Sequence, residues 1–546
     1  MRRQERAAGI AGNSQFTFSP QGAVALAGNP IGPKPLLNEI PTFGGVPLGS
    51  ALSGATGRVT ALLADPTVAG RMFVGAGDGG VWMRSSGAAP FASIFDARPT
   101  QAVGSMFLDT TTAPNSTLYV GSGEGNNSGD SYYGQGVFVT TDLGVTWSQL
   151  GAATFAHSSI AGLTVDTSQS PRVLYAAVTY GSSGSRADAS WIESDFNSNG
   201  LWRSDDGGGS WIPYQAGTFG VCPYFTNRPC PASAVVIDRV SPNNILVSIL
   251  GVGIYRSSDS GFSWTQASLP NLGAGGVGRA SIALGNGMAY AMVGAADGVE
   301  YSGFYSSTDG GITWTKATVP SALVGSTTID GTSPANFSQS WFDQVLTIDP
   351  ADATGKTVVF GGVGIYKSIN AGGTWTMLAS VGGTHSDQHA IAFDPASAHS
   401  FFAGNDGGLY RFDNGLQSWS ALNPDISVLQ AQSIGPHPTN NSIALAGFQD
   451  NGTARFDGTQ PPASGWTQVD GLDGGIALFD AQNALFAYHV FATSAAGPAL
   501  AASSNAGVTF SSTSTTTALR AAMAAANDPG AATIHRWRLT RRRRSA

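Results

Sequence analysis

From about residue 55 to residue 512 the chain is built of short apolar runs, mostly four to eight residues long, broken by Asp-Pro, Gly-Gly or Asn-Gly. Alternating runs of this length predict β-strands, and the breakers predict the tight turns between them. One phrase recurs. An apolar alternation ends in Asp, a turn follows, a second apolar run comes next, and the phrase closes on Gly, an aromatic, a basic residue and Ser. VTALLADP ends on Asp65 and Pro66, AVVID on Asp238, VLTIDP on Asp349 and Pro350, and AIAFDP on Asp394 and Pro395. Their second halves read MFVGAGDGGVWMRS, ILVSILGVGIYRSS, VVFGGVGIYKS and FFAGNDGGLYRF.

After this phrase comes an octet of the form Ser/Thr, any, Asp/Asn, any, Gly, any, Ser/Thr, aromatic. It is complete at 140–147 (TTDLGVTW), 204–211 (SDDGGGSW), 257–264 (SSDSGFSW), 307–314 (STDGGITW), 368–375 (SINAGGTW) and 503–510 (SSNAGVTF). Looser copies end near Phe91, Trp419 and Trp466. From Trp147 to Trp375 the closing aromatics are 64, 53, 50 and 61 residues apart, and those that follow are 44, 47 and 44 apart. A fixed-period repeat of this size, holding about four strands, predicts a blade that cannot cover its own faces and must stack on its neighbours around an axis. The octet itself fits a hairpin turn. Asp142, Asp206, Asp259, Asp309, Asn370 and Asn505 can accept from backbone N–H groups nearby, the Gly supplies positive φ, and the hydroxyls tie down what remains. These side chains are read as turn staples rather than catalysts. The closing rings, Trp147, Trp211, Trp264, Trp314 and Trp375 among them, are expected to bury against the next blade.

Composition narrows the classes. The 546 residues include 73 Gly and 42% hydrophobic residues but only 11% charged ones, which excludes a disordered, collagenous or long helical chain. Glu occurs only at Glu5, Glu39, Glu124, Glu193 and Glu300, so helix formers are scarce. The net charge of -8 includes six arginines, Arg536, Arg538 and Arg541 to Arg544, close to the end; the rest of the chain stands near -14. An acidic body without a basic, aromatic-laced stripe argues against nucleic acid as a partner. No window reaches the roughly 18 apolar residues of a spanning helix. The start is basic but no apolar stretch follows it, so no signal peptide is visible. Cys222 and Cys230, eight apart in a Pro-rich loop, read as a local disulfide, which favours an oxidising compartment.

The octet resembles the Asp-box, or BNR repeat, of sialidases, xyloglucanase-type glycosidases and sortilin (Vps10) propellers. Beyond it, GSGEGNNSGDSYYGQGVF at 121–138, HSDQHAIAFDP at 385–395, GNDGGLYRF at 404–412 and GFQDNGTARF at 447–456 are similar to bacterial proteins of the BNR, WD40 or YVTN-like repeat kind. The resemblance implies an all-β protein, a β-propeller of four-stranded antiparallel blades. With eight to ten repeat units, one large ring or two incomplete rings is expected. It also implies secretion or a place in the cell envelope.

The enzymes of these families suggest where to look for a site. A sialidase-like site would need an arginine triad, a Tyr nucleophile backed by a Glu, and an Arg-Ile-Pro phrase; Arg58 stands in the right region, but Arg-Ile-Pro is absent. Xyloglucanase-type enzymes use two Asp residues as acid and base, each in a phrase like Asp-Ile-Gly-Gly. The nearest phrases are Gly77-Asp78-Gly79-Gly80 and Asn405-Asp406-Gly407-Gly408, so the catalytic position would hold Gly77 and Asn405, with Asp78 and Asp406 one residue displaced. On a strand that slip turns the side chain to the other face.

Two further clusters are not required by the repeat. His385, Asp387 and His389 alternate, and on an extended strand would share one face, a spacing able to hold a divalent metal. Glu124, Asn126, Asn127, Asp130, Tyr132 and Tyr133 mix acids, amides and aromatics in a manner suited to sugar stacking and hydroxyl bonding. Trp341 to Gln344, with Asp343, and Gln449 to Gly452, with Asp450, are candidates for the same face. No cofactor other than such a cation is called for. The resulting organisation is an extended lead over 1–54 that pairs with the last blade, a propeller over 55–515, and an irregular Arg-rich tail over 516–546 that reads as a truncated or altered end. The function favoured is a glycan- or protein-binding module without catalysis; the alternative is a xyloglucanase-like hydrolase working through an Asp pair.

Overall fold

The structure is a computed structural model of the chain. The described residues are 35–36, 42–43, 46–47, 54–112, 115–126, 131–180, 198–223, 228–272, 276–296, 298, 300–319, 339–379, 384–458, 465–471, 473–491 and 499–511. Asp130, most of the lead and the whole of 516–546 lie outside them. Every regular element among these residues is a strand.

Apart from a small hairpin of Thr42–Phe43 with Val46–Pro47, the strands form nine consecutive antiparallel sheets, eight of four strands and one of three. We number them I to IX. Their first strands are Val59–Ala64, Val103–Asp109, Ser158–Asp166, Ala232–Ile237, Ala280–Gly285, Val345–Ile348, Gln388–Phe393, Ala431–Pro436 and Gly474–Phe479. Each sheet takes its strands in chain order with no exchange between sheets. In sheets I to VII the second strand is buried along its whole length, as in Met72–Ala76, Ile245–Ile249 and Phe401–Asn405. A strand packed on both faces has no solvent side to alternate with, which is why MFVGA, ILVSI and FFAGN run apolar without interruption.

The first strands lie nearest the axis and pack on one another from sheet to sheet. Sheet VII returns to sheet I: Ala390, Phe402 and Leu409 share a core with Val59, Val74, Trp82 and Phe91. A Cβ at Gly404 would collide with Val59, 2.5 Å from its Cγ1. The backbone is sewn at the same seam, because Thr56 N donates to Gly407 O at 2.9 Å and Val428 N donates to Thr56 O at 3.0 Å. Seven sheets therefore close a ring. Sheets VIII and IX form a separate pair with their own core of Leu445, Ala477, Phe479 and Ala487. The nine sheets divide into a closed ring of seven and a pair, in place of the single large ring or the two incomplete rings expected from counting phrases. Of the lead, Leu36 packs with Ala446, Phe448 and Trp466 of sheet VIII.

The octets occupy the hairpin after the third strand. In the first copy Thr146 N donates to Asp142 Oδ1 at 2.8 Å, Thr146 Oγ1 donates to Oδ2 at 2.6 Å, and Gly144 N donates to Thr140 Oγ1 at 2.9 Å. The same backbone bond to the third position recurs at Asp206, Asp259, Asp309, Asn370 and Asn505. The closing aromatics pack backwards, correcting the expected direction. Trp147 shares a core with Phe73 and Phe95 and donates to Ile94 O at 2.9 Å, ahead of its own sheet. Trp375 likewise donates to Thr318 O at 2.7 Å, and Trp419 to Leu378 O at 3.0 Å. The turn that follows the third strand hangs over the preceding sheet, so the ring lands there. Phe91, the first closing aromatic, packs on sheet VII and helps to complete the circle.

The octet carboxylates lie in solvent, yet hydroxyl and backbone donors hold them low. Asp142 and Asp206 are pushed down to about 2, led by the bonds from Thr146 and Ser210. At Asp309 burial acts upward, but the bonds from Ser307 and Thr313 outweigh it and bring the carboxyl to about 2. An acid whose folded value lies below its unfolded value of about 3.9 stabilises the fold above that pH and loses the contribution as pH falls through the folded value. The urea midpoint should therefore fall between about pH 4 and about pH 2, and the triple variant Asp142→Asn, Asp206→Asn, Asp309→Asn should fall less steeply over that window. Equal slopes for the two proteins would show that the octet acids carry none of the pH dependence.

Candidate functional site

At one end of the ring axis the first strands begin and the turns from second to third strands gather. Arg58 sits just before the first strand of sheet I, and its side chain is 2% exposed. Its Nε donates to Asp406 Oδ1 at 2.8 Å, Nη2 donates to Asp406 Oδ2 at 3.2 Å and to Asp450 Oδ2 at 3.2 Å, and Nη1 donates to Glu124 Oε1 at 3.1 Å. These carboxylates come from the second-to-third turns of sheets VII, VIII and II. The guanidinium also lies 4.9 Å from the centre of the Phe342 ring.

The network continues across the axis. His389 Nε2 is 2.7 Å from Asp406 Oδ1, and its Nδ1 is 3.1 Å from Asn126 Nδ2. Asn126 donates to Glu124 Oε1 at 3.2 Å and accepts at Oδ1 from Arg279 Nη2, also at 3.2 Å. Arg279, placed just before the first strand of sheet V, donates from Nη1 to Phe342 O. Sheets I, II, V, VI, VII and VIII are thus joined at one polar plug.

Burial and charge set the protonation of this plug. Burial would raise the Asp406 carboxyl, but Arg58 and His389 outweigh it and hold it well below the usual carboxylate range. Burial lowers His389 despite the pull of Asp406. Asp343 is pushed well up by burial and then by the charges of Asp387 and Asp406. Asp450 is pushed up by burial and then by Asp473 and Asp406.

The sequence candidates separate as follows. Glu124, Asn126, Asp343, Asp387, His389, Asp406 and Asp450 meet in the plug, although they come from four sheets. His385, Asp387 and His389 do not alternate along an extended strand. The strand begins at Gln388, Asp387 has φ 65°, and the pairing slips between Gln388 and Ala390. Each side chain of the trio accordingly finds its own partners, with His385 Nε2 3.2 Å from Asp450 O. Tyr133 packs on His157, ring centres 4.8 Å apart, while Tyr132 is 41% exposed and Trp341 half-buried. Asp78 is exposed at the turn of sheet I, and burial around it raises its carboxyl. A Cβ at Gly77 would stand 3.1 Å from Arg58 Cδ and 3.4 Å from Glu124 Oε2, at the plug. Asn405 is buried and bonded to Gln388 Oε1 at 3.2 Å. Cys222 and Cys230 are bonded to each other, with Cα atoms 5.1 Å apart.

Arg279 and the central role of Arg58 were not read from the sequence. A signal was present: Gly57-Arg58 and Gly278-Arg279 both place Gly-Arg immediately before a first strand, at matching points of two repeats that otherwise do not require it.

No family model and no curated protein matches the chain. Solved structures do. A GH74 xyloglucanase from Xanthomonas campestris is similar at a TM-score of 0.58 and 16% identity, covering 85% of this chain and 68% of that enzyme. An ancestral GH74 enzyme is similar at 0.54 and 15% identity, covering 85% of this chain and 63% of its own length. Identities this low establish the propeller fold and nothing finer. The chain spans less than two-thirds of the second enzyme.

Removing the guanidinium should strand its carboxylates in the interior. Arg58→Met is expected to cost about 3–5 kcal/mol, read as a lower urea midpoint and melting temperature. A cost below about 1 kcal/mol would show that the plug relaxes or hydrates without its cation.

Proposed function

We propose that this is an extracellular β-propeller of the Asp-box kind whose ring end binds a glycan without hydrolysing it. The observation that carries the reading is the state of the carboxylates at the ring mouth. An inverting glycosidase needs one carboxyl that holds a proton and one that accepts it, placed about 6.5–9.5 Å apart with water between them. Asp406 is 1% exposed and committed to Arg58 and His389, and the two positions that would match the enzymes' catalytic Asp hold Gly77 and Asn405. Gly77 has no side chain to ionise, and Asn405 is tied to Gln388.

The same end carries what sugar recognition uses. Exposed Tyr132 and half-buried Trp341 offer ring faces beside a polar mouth, and aromatic faces stack on the apolar side of a sugar ring while amides and acids meet its hydroxyls. The disulfide fits an oxidising compartment, and among the described residues no helix is long and apolar enough to cross a membrane.

The test is a glycan array beside a reducing-sugar assay on xyloglucan and related glucans. Binding without release of reducing ends is expected. Trp341→Ala should weaken binding about tenfold, or roughly 1.4 kcal/mol, with the melting temperature held. Release of reducing ends that Asp406→Asn or Asp78→Asn abolishes, again without a change in melting temperature, would establish the hydrolase instead.

A further inference from the structure

The plug holds more negative charge than its two arginines can match. Arg58 is shared among Glu124, Asp406 and Asp450, and Arg279 directs its hydrogen bonds to Asn126 and to the carbonyl of Phe342. Asp343 and Asp387 act on one another at the sheet VI and sheet VII side of the mouth. Asp343 is 0% exposed, and neither of its carboxylate oxygens receives a hydrogen bond. After burial, the charges of Asp387 and Asp406 act on it most, and its carboxyl is within hydrogen-bond reach of Asp387. Oxygen atoms of Asp387, Asp406 and Asp450 lie within 4.8 Å of one another beside it.

A buried carboxylate with no donor is costly unless a proton or a cation satisfies it. The donors here are all oxygen, which suits a hard cation rather than zinc or copper. Calcium binds oxygen at about 2.3–2.6 Å, so ligands on opposite sides of the ion stand about 4.6–5.2 Å apart; magnesium, at about 2.0–2.1 Å, draws them to about 4.2 Å. Oxygens of Asp387, Asp406 and Asp450 within 4.8 Å of one another fall inside the span that one calcium ion allows.

We propose that Asp343, Asp387 and Asp450, with Asp406 at the edge toward Arg58, form a calcium site at the ring mouth. The ion takes the place of the missing positive charge and locks sheets VI, VII and VIII together. It does not depend on whether the ring end binds a glycan, because the ligands lie inside the plug while Tyr132 and Trp341 lie on its rim.

The test uses the full chain, stripped with a chelator and then titrated with calcium chloride. Calorimetry should find one site per chain, and the melting temperature should rise by several degrees at millimolar calcium. Asp387→Asn and Asp343→Asn should each abolish both responses, while Asp96→Asn, far out on sheet I, should keep them. If neither plug variant folds, the wild-type titration alone decides. Absence of heat and of a melting shift in the wild type overturns the site, as does a response that survives in both plug variants. A magnesium response equal to that of calcium overturns the assignment of the ion.

Discussion

A guanidinium cannot give up its proton in a protein, so wherever Arg58 is buried its charge must be answered in place. Its answer comes from three turns distant in sequence, those bearing Glu124, Asp406 and Asp450. That requirement fixes where the ends of sheets II, VII and VIII can stand relative to sheet I. It also explains why Asp406, bonded twice to the cation and once to His389, is held low, while Asp343 and Asp450, buried and crowded by other carboxylates, are pushed up. The seam between sheets VII and I lies beside this charge. Apolar packing of Phe402 and Leu409 on Val59 and Trp82 supplies the bulk of the seam's cohesion, and the ion pairs supply its register.

The chain uses aspartate for two opposite purposes. In the octets the carboxylate is in water, surrounded by hydroxyl and amide donors, and is held at about 2 in Asp142 and Asp206. In the ring mouth the same side chain is buried among like charges and is driven upward at Asp343 and Asp450. The first arrangement closes a hairpin with bonds to residues four positions away, as between Asp142 and Thr146. The second joins residues hundreds of positions apart, as between Arg58 and Asp406.

This difference in range accounts for what could be read in advance. The octets, the strand phrases, the all-β propeller class and the approximate number of units were legible because each is written within a few dozen consecutive residues. The disulfide between Cys222 and Cys230 was legible for the same reason. Ring closure at seven was not, since Thr56 meeting Gly407 and Val428 is invisible to any local pattern. The direction of the closing aromatics depends on how the hairpin overhangs its neighbour, which periodicity does not encode. Glu124, His389, Asp343 and Asp450 stood out as residues the repeat does not need and as candidates for one face, but nothing local said that they are tied into one network around Arg58. Asp387 shows the limit of strand arithmetic: its left-handed backbone removes the alternation that three residues at spacing two would otherwise have.

The most direct measurement of the closed ring is hydrogen–deuterium exchange at the seam. The amides of Thr56 and Val428 donate to Gly407 O and Thr56 O, far from their own neighbours in the chain. If sheet VII closes on sheet I, both should exchange as slowly as amides in the buried second strands, such as Val247 and Ala403. Exchange at the rate of open loops, with the second strands still protected, would mean that the sheets stack without closing.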